Sequence, residues 1–279
     1  MMRMIKIINF HELHDSIWFD SVVCFLKSKY TMISAQDMYD YFYKGKRLKN
    51  ACLITVDDGH ETSYSVIYPI LKKYNVPAIF FVSPYAAVNS DNYMFWFQSA
   101  RQLKNKDLIF STIHNSNICI DDACKLIDNI TKTDNVILNY KQNMTVDQIK
   151  QIDSEGLVTI GAHTLTHPFL GRESDERSLK EITESVIQLE NLLGHEVLYF
   201  AYPNGIPNVD WGTREVNTLM TTSIKLSFST LPRNVRRKDN PYAIPRYGLT
   251  CGSIRFVRIK LFLGHWYPII KKVISIVRQ

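Results

Sequence analysis

Regular alternation of strand-like and helix-like segments constrains the fold of this 279-residue chain more than any other feature. Short runs of apolar and β-branched residues, such as residues 51–56 and 77–82, predict buried strands. Between such runs, apolar residues recur at helical spacing, most clearly over residues 178–193, which Gly194 follows as a stop. Strands that alternate with helices indicate a parallel sheet, and at this length we expect a (β/α) barrel.

The predicted elements fill most of the chain. The predicted strands span residues 5–10, 51–56, 77–82, 157–160, 198–202, 224–228 and 242–245. The predicted helices span residues 19–27, 35–43, 63–74, 145–154, 178–193 and 211–221. Residues 86–144 break the alternation, and we expect them to form an insertion over one face of the fold. The expected domain therefore covers residues 1–252, and a basic, amphipathic helix over residues 253–279 follows it.

Composition is typical of a globular protein, since 46% of the residues are hydrophobic. Five cysteines are an odd number and form no Cys-x-x-Cys pair, which argues against a disulfide framework and favours a reducing compartment. The first ten residues lack the apolar core of a signal peptide, and no run of about 18 apolar residues occurs. We therefore expect a cytoplasmic protein without a transmembrane helix.

Two adjacent carboxylates, Asp57 and Asp58, follow the predicted strand 51–56 directly, and Gly59 comes next. Asp and Gly are ordinary turn residues, so this triplet alone is weak evidence for a site. Side chains alternate along an extended backbone, so the two carboxylates point to opposite sides. One carboxylate can then hold a cation while the other faces the space beside it.

His163 and His167 lie four residues apart after another predicted strand. Two histidines at this spacing can reach one metal ion, although an isolated pair is more often unrelated to metals. Asp58, at the end of a different strand, supplies a third ligand. Two histidines and one carboxylate leave coordination positions open for water and substrate, a pattern typical of catalytic sites.

Three ordered motifs make the chain recognisable: TVDDGH at residues 55–60, HTLTHP at 163–168 and FAYPNG at 200–205. Over roughly residues 4–250 the chain resembles the NodB-homology polysaccharide deacetylases, carbohydrate esterase family 4. The resemblance implies a distorted (β/α)7-type barrel and metal-dependent removal of an acetyl group from a carbohydrate. It implies Zn2+ as the metal, with Co2+, Ni2+, Fe2+ or Mn2+ as alternatives.

The resemblance also assigns roles to individual positions. The general base falls on Asp57, and Arg246 orients it. The metal ligands fall on Asp58, His163 and His167. The third motif lines the substrate groove with Tyr202, Pro203 and Asn204, and the backbone N–H of Tyr202 faces the oxyanion. Asn204 replaces the tyrosine that is commoner there, so we expect substrate contacts to differ.

The general acid is assigned to His11, which follows the first predicted strand. This position fits a circularly permuted branch that resembles the poly-N-acetylglucosamine deacetylases, in which an N-terminal strand-His segment supplies the acid. His265, in a Leu-x-His segment, is the alternative, although it lies inside an apparent helix. A histidine at a strand end without a catalytic role is the third interpretation.

The expected function is removal of an acetyl group from an N-acetylated sugar or polysaccharide, in surface-polysaccharide or glycan biosynthesis. An O-acetyl carbohydrate esterase is one alternative, and it would depend less on His11. A carbohydrate-binding protein without turnover is another, but such a protein has no need of the base Asp57.

Positive charge is concentrated at the end of the chain. The net charge is +6, but residues 233–279 carry +10 and the remainder −4. Residues 253–279 mix Arg and Lys with aromatic residues, so they form either a final helix that closes the barrel or a peripheral contact with an anionic membrane surface. Nucleic acid is not an expected partner, because no recognition motif accompanies the charge.

Overall fold

A curled sheet of parallel strands forms the centre of the molecule. The computed structural model describes residues 4–250, 252–264 and 266. The strands are β1 (Ile5–Phe10), β2 (Thr31–Met32), β3 (Ala51–Val56), β4 (Ala78–Val82), β5 (Val158–Ala162), β6 (Tyr199–Ala201), β7 (Leu226–Phe228) and β8 (Tyr247–Gly248). They pair in the order β7-β6-β5-β4-β3-β1-β8, and β2 pairs with the start of β3. The pairs are parallel, as expected for the predicted distorted (β/α) barrel.

Helices connect the strands, close to the positions that the sequence predicts. The helices are α1 (Ser16–Lys29), α2 (Ala35–Tyr43), α3 (Tyr68–Tyr74), α4 (Pro84–Val88), α5 (Trp96–Arg101), α6 (Lys106–Asn115), α7 (Ile120–Thr133), α8 (Val146–Ser154), α9 (Asp175–Leu193), α10 (Thr213–Met220) and α11 (Ile254–Leu263). Ser34 and Thr145 start α2 and α8 with capping boxes. Gly194, with a φ of 80°, ends α9 as predicted.

Alternate residues of β1, β3, β4 and β6 pack into two different cores, whereas β5 and β7 each contribute to one of them. One set belongs to the same core cluster as α2 and includes Ile7, Leu53, Phe81, Ala201 and Phe228. The other set packs against α1, α3, α8 and α9 and includes Ile8, Ile54, Phe80, Ile160 and Phe200. Both faces are apolar because helices cover a parallel sheet, and this explains the continuous apolar runs in the sequence.

One predicted strand is wrong. Residues 242–245 form no strand, and the last strand lies at Tyr247–Gly248. Ile244 bridges to Phe228 of β7, but the next residue, Pro245, has no N–H with which to continue that ladder. The chain then crosses to the other edge of the sheet, where Tyr247 pairs with Ile8 of β1. This segment therefore bridges β7 and β1, and it carries Arg246 between them.

The predicted insertion is helical. Residues 86–144, all of which the structure describes, contain α5, α6 and α7 and no strand. These helices pack around their own cluster, which includes Trp96 and Ile113 and which Phe169 joins to the barrel. The two-residue strand β2 was not predicted, since two residues show no periodicity. No helix in the described part of the chain is long and apolar enough to cross a bilayer.

Candidate active site and metal centre

The side chains that the sequence assigns to one site lie at one end of the barrel. His11 follows β1, Asp57 and Asp58 follow β3, and His163 follows β5. The carboxyl ends of parallel strands meet at one rim, so residues far apart in sequence come together there. A cavity of about 160 Å³ opens at this rim, and its walls include His11, Asp58, His167 and Asn204.

Three of these residues form a compact group of ligand atoms. Asp58 Oδ1 lies 3.4 Å from Nε2 of His163 and 3.4 Å from Nε2 of His167. The ligand atoms of the three residues lie within 4.8 Å of one another, and all three side chains are buried. The structure therefore brings the three predicted ligands together.

The hydrogen bonding around this group fits a metal ion. Nδ1 of His163 lies 2.8 Å from the carbonyl oxygen of Ala201, so an Nδ1–H donating there leaves the Nε2 lone pair directed at Asp58. Asp58 Oδ1 is buried and has no hydrogen-bond partner among the described residues. A buried carboxylate oxygen without a partner is costly, and a cation would satisfy it. Two imidazoles and one carboxylate are the donor set of catalytic zinc sites, which keep a position open for substrate.

Burial and charge act against each other in this group. Burial alone would raise the pKa of Asp58, but contact with the two imidazoles outweighs it and holds that pKa well below its usual value. Burial lowers the pKa of His167. For His163 burial is outweighed by Asp58 and Asp57, and the pKa is raised. The site therefore favours an ionised carboxylate beside the two imidazoles.

Asp57 faces away from the three ligands and pairs with a buried arginine. Its Oδ1 lies 2.7 Å from Nη1 of Arg246 and its Oδ2 lies 2.9 Å from Nη2, a bidentate arrangement. Asn9 Nδ2 donates to Oδ2 of Asp57 at 3.0 Å. Burial raises the pKa of Asp57, but the charges of Arg246, His163 and His11 outweigh it, so the pKa is lowered. Asp57 is therefore held as a carboxylate in a fixed orientation.

Arg246 is itself fully buried, with 0% of its side chain exposed. Its Nε donates to the carbonyl oxygen of Ser229 at 3.1 Å, and Nη1 also donates to Thr55 Oγ1 at 3.2 Å. Asn9 and Thr55, which the sequence did not identify, thus orient the pair from β1 and β3. Their only signal in the sequence is a polar side chain within a strand that is buried along its length.

His11 lies on the other side of Asp57. Its Nε2 is 3.8 Å from Asp57 Oδ2, and 46% of its side chain is exposed at the cavity wall. This position is compatible with proton donation to a bound substrate, and the role of general acid stays a prediction. The alternative residue, His265, lies outside the described residues.

A buried glutamate that the sequence did not identify supports the ligand loop. Glu181 in α9 is 1% exposed. Its Oε2 accepts the backbone N–H groups of Leu165 and Thr166, each at 2.9 Å, and its Oε1 accepts the Thr166 hydroxyl at 2.7 Å. The loop needs this support because Thr164 and His167 have left-handed backbones, with φ of 61° and 58°, which costs each non-glycine residue about 1–2 kcal/mol.

The third motif lies beside the cavity, but the backbone N–H of Tyr202, expected to face the oxyanion, already has an acceptor. The backbone N–H of Tyr202 donates to the carbonyl oxygen of Phe228 at 3.2 Å. An oxyanion would have to compete with that hydrogen bond, and the oxyanion role of Tyr202 stays a prediction. Pro203 is buried, and Asn204, with a φ of 58°, lines the cavity. Asn204 Nδ2 has no hydrogen-bond partner in the described part of the chain.

The insertion supplies the opposite wall of the cavity. This wall consists of Trp96, Phe97, Arg101, Phe110 and His114. The ring of Phe97 lies 4.8 Å from the ring of His167 and packs against it. The indole N–H of Trp96 is buried and has no hydrogen-bond partner among residues 4–250, 252–264 and 266. Aromatic side chains with one unused donor are typical of carbohydrate sites.

Comparison with known proteins agrees with this geometry. The chain matches the model of the polysaccharide deacetylase family over residues 44–219. It is 24% identical over 237 residues to the poly-beta-1,6-N-acetyl-D-glucosamine N-deacetylase of Staphylococcus aureus strain MRSA252, covering 82% of this chain and 64% of that protein. It is 21% identical over 207 residues to the Bacillus subtilis protein YxkH, covering 74% and 54%. The match thus spans less than two thirds of either relative.

Solved structures share the same barrel. IcaB from Ammonifex degensii superposes with a TM-score of 0.65 at 19% identity, covering 93% of this chain and 97% of that chain. The Streptococcus pyogenes deacetylase PplD superposes with a TM-score of 0.62 at 17% identity, covering 88% and 91%. At these identities the structures establish the fold alone. The family model, however, matches more than half of the sequence, and the protein therefore belongs to the polysaccharide deacetylase family.

Proposed function

We propose that the protein is a metal-dependent carbohydrate N-deacetylase, a hydrolase that removes the acetyl group from an N-acetylated sugar or polysaccharide. The observation that carries this proposal is the position of the Asp57–Arg246 pair, directly beside the group formed by Asp58, His163 and His167. A structural metal site or a carbohydrate-binding groove has no use for a buried, oriented base next to its ligands. A metal-dependent amide hydrolase uses both the metal ligands and the base.

Each side chain has a defined task in this reaction. Asp58, His163 and His167 would hold a divalent cation, whose chemistry would be to polarise the acetyl carbonyl and to lower the pKa of water, to about 7 in zinc sites. Asp57 would remove a proton from the attacking water, and Arg246 holds its carboxylate in a fixed orientation. His11, when protonated, donates to the nitrogen of the departing amine, because an amine cannot leave as an anion. Asn204 and Trp96 line the cavity that the substrate would enter, and each has a side-chain donor without a partner in the described part of the chain.

The substrate class rests on the relatives. The similar Staphylococcus aureus protein is named a poly-beta-1,6-N-acetyl-D-glucosamine N-deacetylase, and we propose an N-acetylated hexosamine chain for this protein too. Zn2+ is the proposed ion, since two imidazoles and one carboxylate suit it. A role in surface-polysaccharide or glycan biosynthesis, in the cytoplasm or at the periphery of a membrane, is part of the proposal. Four cysteines that form no disulfide, Cys24, Cys52, Cys119 and Cys124, support a reducing compartment.

Release of acetate tests the proposal. The purified full chain, loaded in turn with Zn2+, Co2+, Ni2+, Fe2+ or Mn2+, is incubated with N-acetylglucosamine oligomers and with O-acetylated sugars of matched length. We expect acetate from the N-acetyl substrates, its loss with a chelator, and its return when the metal is restored. Release from the O-acetyl sugars alone would support the esterase alternative. Metal binding without release of acetate from either set would contradict deacetylation.

A further inference from the structure

Helix α11 is fixed on the barrel with one face turned outward. Val257 and Leu261, 0% and 2% exposed, pack into the main core. The Lys6 ammonium donates to the carbonyl oxygen of Leu261 at 2.9 Å and to Asn234 Oδ1 at 2.9 Å. These contacts fix the rotation of the helix about its axis, so its outer face is a defined surface.

That outer face combines basic and large apolar side chains. Arg255, Ile259 and Phe262 occupy positions i, i+4 and i+7, so they share one side of the helix. Ile259 is 45% exposed and Phe262 is 89% exposed, and Trp266, just past the helix, is 57% exposed. Single exposed apolar residues are common, but a row of three beside arginines marks an interaction surface.

A large groove adjoins this row. It has a volume of about 880 Å³ and lies between α11 and the end of α1. Phe25 and Tyr30 line one wall, and Phe262 and Trp266 line the other, while Lys29 and Arg258 also face it. An apolar groove with cationic side chains suits an amphiphile whose charged end is anionic.

The positive charge of residues 253–279 indicates an anionic partner for this surface. Residues 253–279 contain six Lys and Arg and no Asp or Glu. We propose that the surface formed by Arg255, Arg258, Ile259, Phe262 and Trp266 binds an anionic lipid bilayer. The apolar side chains enter the interface between headgroups and acyl chains, and the basic ones contact the lipid phosphates. This proposal does not depend on the proposed enzymatic activity.

The position of this surface determines which way the active site faces. The groove is lined by Met4, Lys6 and Asn50, at or just before the starts of β1 and β3. His11 and Asp57 follow the opposite ends of the same two strands. A six-residue strand is roughly 17–20 Å long. The end of the surface that adjoins the groove, at Phe262 and Trp266, therefore lies at the opposite end of the barrel from the active site. A bilayer bound there leaves the active site open to the aqueous side.

Vesicle co-sedimentation of the full chain tests the proposal. We expect binding to vesicles that contain phosphatidylglycerol and little binding to phosphatidylcholine alone. Because Arg255→Glu reverses a basic charge and Phe262→Ser removes the most exposed apolar side chain of the surface, the double variant should bind at least about tenfold more weakly. The matched control is Lys132→Glu/Ile137→Ser on the insertion, where Ile137 is 97% exposed. Equal loss in both variants, or no loss in the first, would overturn the proposal.

Two further outcomes distinguish other occupants of the surface. If another part of this chain covers it, Phe262→Ser will lower the melting temperature and the wild-type protein will not bind vesicles, which rejects the bilayer. If a second copy covers it, the protein will form a dimer that Phe262→Ser dissociates. The wild-type protein will then not bind vesicles, which also rejects the bilayer. Vesicle-bound protein should still release acetate from a soluble N-acetylated oligomer, and blocked release would overturn the proposed orientation.

Discussion

Adjacent residues Asp57 and Asp58 have different environments because the backbone turns between them. Asp58 has a φ of 72°, in the left-handed region that non-glycine residues rarely adopt. Its carboxylate faces His163 and His167, whereas that of Asp57 faces Arg246. Strain of this kind persists at functional sites because the surrounding structure holds it. One carboxylate is thereby available as a ligand and the other as a base.

Replacement of Asp57 by Asn should leave the ligand group intact and remove the base. Loss of a general base lowers kcat by about 10²- to 10⁴-fold, while the metal content should stay at the wild-type level. Acetate release and metal analysis on the same samples check both expectations. Asp128→Asn, on the exposed side of α7, is the control. Near-wild-type kcat in Asp57→Asn would show that another group takes the proton.

Trp96→Phe should weaken substrate binding without affecting the metal. The substitution removes the indole N–H, which has no partner within the described chain, and keeps an aromatic ring in the cavity wall. A net hydrogen bond is worth about 0.5–1.5 kcal/mol, so KM should rise by about threefold to tenfold with kcat retained. Trp211→Phe is a matched control, since its indole also lacks a partner but does not line the cavity. An unchanged KM would exclude a substrate contact.

At the scale of elements, α9 supports the loop that carries two of the proposed metal ligands, although the helix itself carries none. Glu181 holds the loop between His163 and His167 through the backbone N–H groups of Leu165 and Thr166. Loss of a group that orients a metal ligand commonly weakens metal affinity, even though the group does not contact the metal. The helix and the loop therefore form one functional unit.

Glu181→Ala should therefore weaken metal binding, by about tenfold to 100-fold. Titration of the metal-free protein with Zn2+ or Co2+, followed by spectroscopy or calorimetry, measures the affinity directly. Glu181→Gln keeps an acceptor for the loop and should recover part of the loss. Glu184→Ala on the same helix should bind metal like the wild type. Equal affinities in all four proteins would mean that the loop holds its shape without Glu181.

Lys6 joins β1 to α11, and its burial gives a stability that depends on pH. Burial lowers the pKa of Lys6 from 10.5 to about 8. Between these values the unfolded chain binds a proton that the folded chain has lost, so the unfolding free energy rises with pH. The Lys6 contribution should increase by up to about 3 kcal/mol from pH 8 to pH 10.5.

Urea unfolding of the wild type and of Lys6→Met at several pH values measures this contribution as the difference between the two proteins. That difference should shift in favour of the wild type as the pH rises. Lys132→Met, at an exposed position, should show no such trend. Parallel curves for the wild type and Lys6→Met would mean that Lys6 keeps its proton throughout.

At the scale of the whole molecule, the two edges of the sheet and the proposed catalytic base contact one residue, Arg246. Arg246 lies in the segment that bridges β7 and β1, and it contacts Ser229 beyond β7, Thr55 in β3 and the base Asp57. A buried charge in this position connects both edges of the sheet. Its removal should therefore affect the stability of the fold as well as turnover.

Arg246→Met should lower the unfolding free energy by about 3–5 kcal/mol, because it leaves the Asp57 carboxylate buried without its partner. Chemical denaturation followed by circular dichroism measures the change. Arg236→Met, at an exposed position in the same region, should cost less than 1 kcal/mol, as is usual for surface sites, where most effects are about 0.5 kcal/mol. A loss of similar size in both variants would show that the pair does not stabilise the barrel.

Much of the fold follows from local patterns. Each long strand is an apolar run and α9 is a clear amphipathic helix, so their positions depend on neighbouring residues alone. The grouping of Asp58, His163 and His167 was predictable for a similar reason, since the two histidines lie in one short motif and Asp58 follows a strand. Parallel strands then align these ends at one rim, whatever the details of packing.

Other features depend on how distant segments pack. The pairing of Arg246 with Asp57, the support from Glu181 and the position of Trp96 in the cavity wall all join residues far apart in the chain. The end of the barrel was also misplaced by sequence, because Pro245 moves the last strand to the edge of β1. Periodicity reports which face of an element is apolar, but only tertiary packing decides what that face meets, and hence which polar groups share a site.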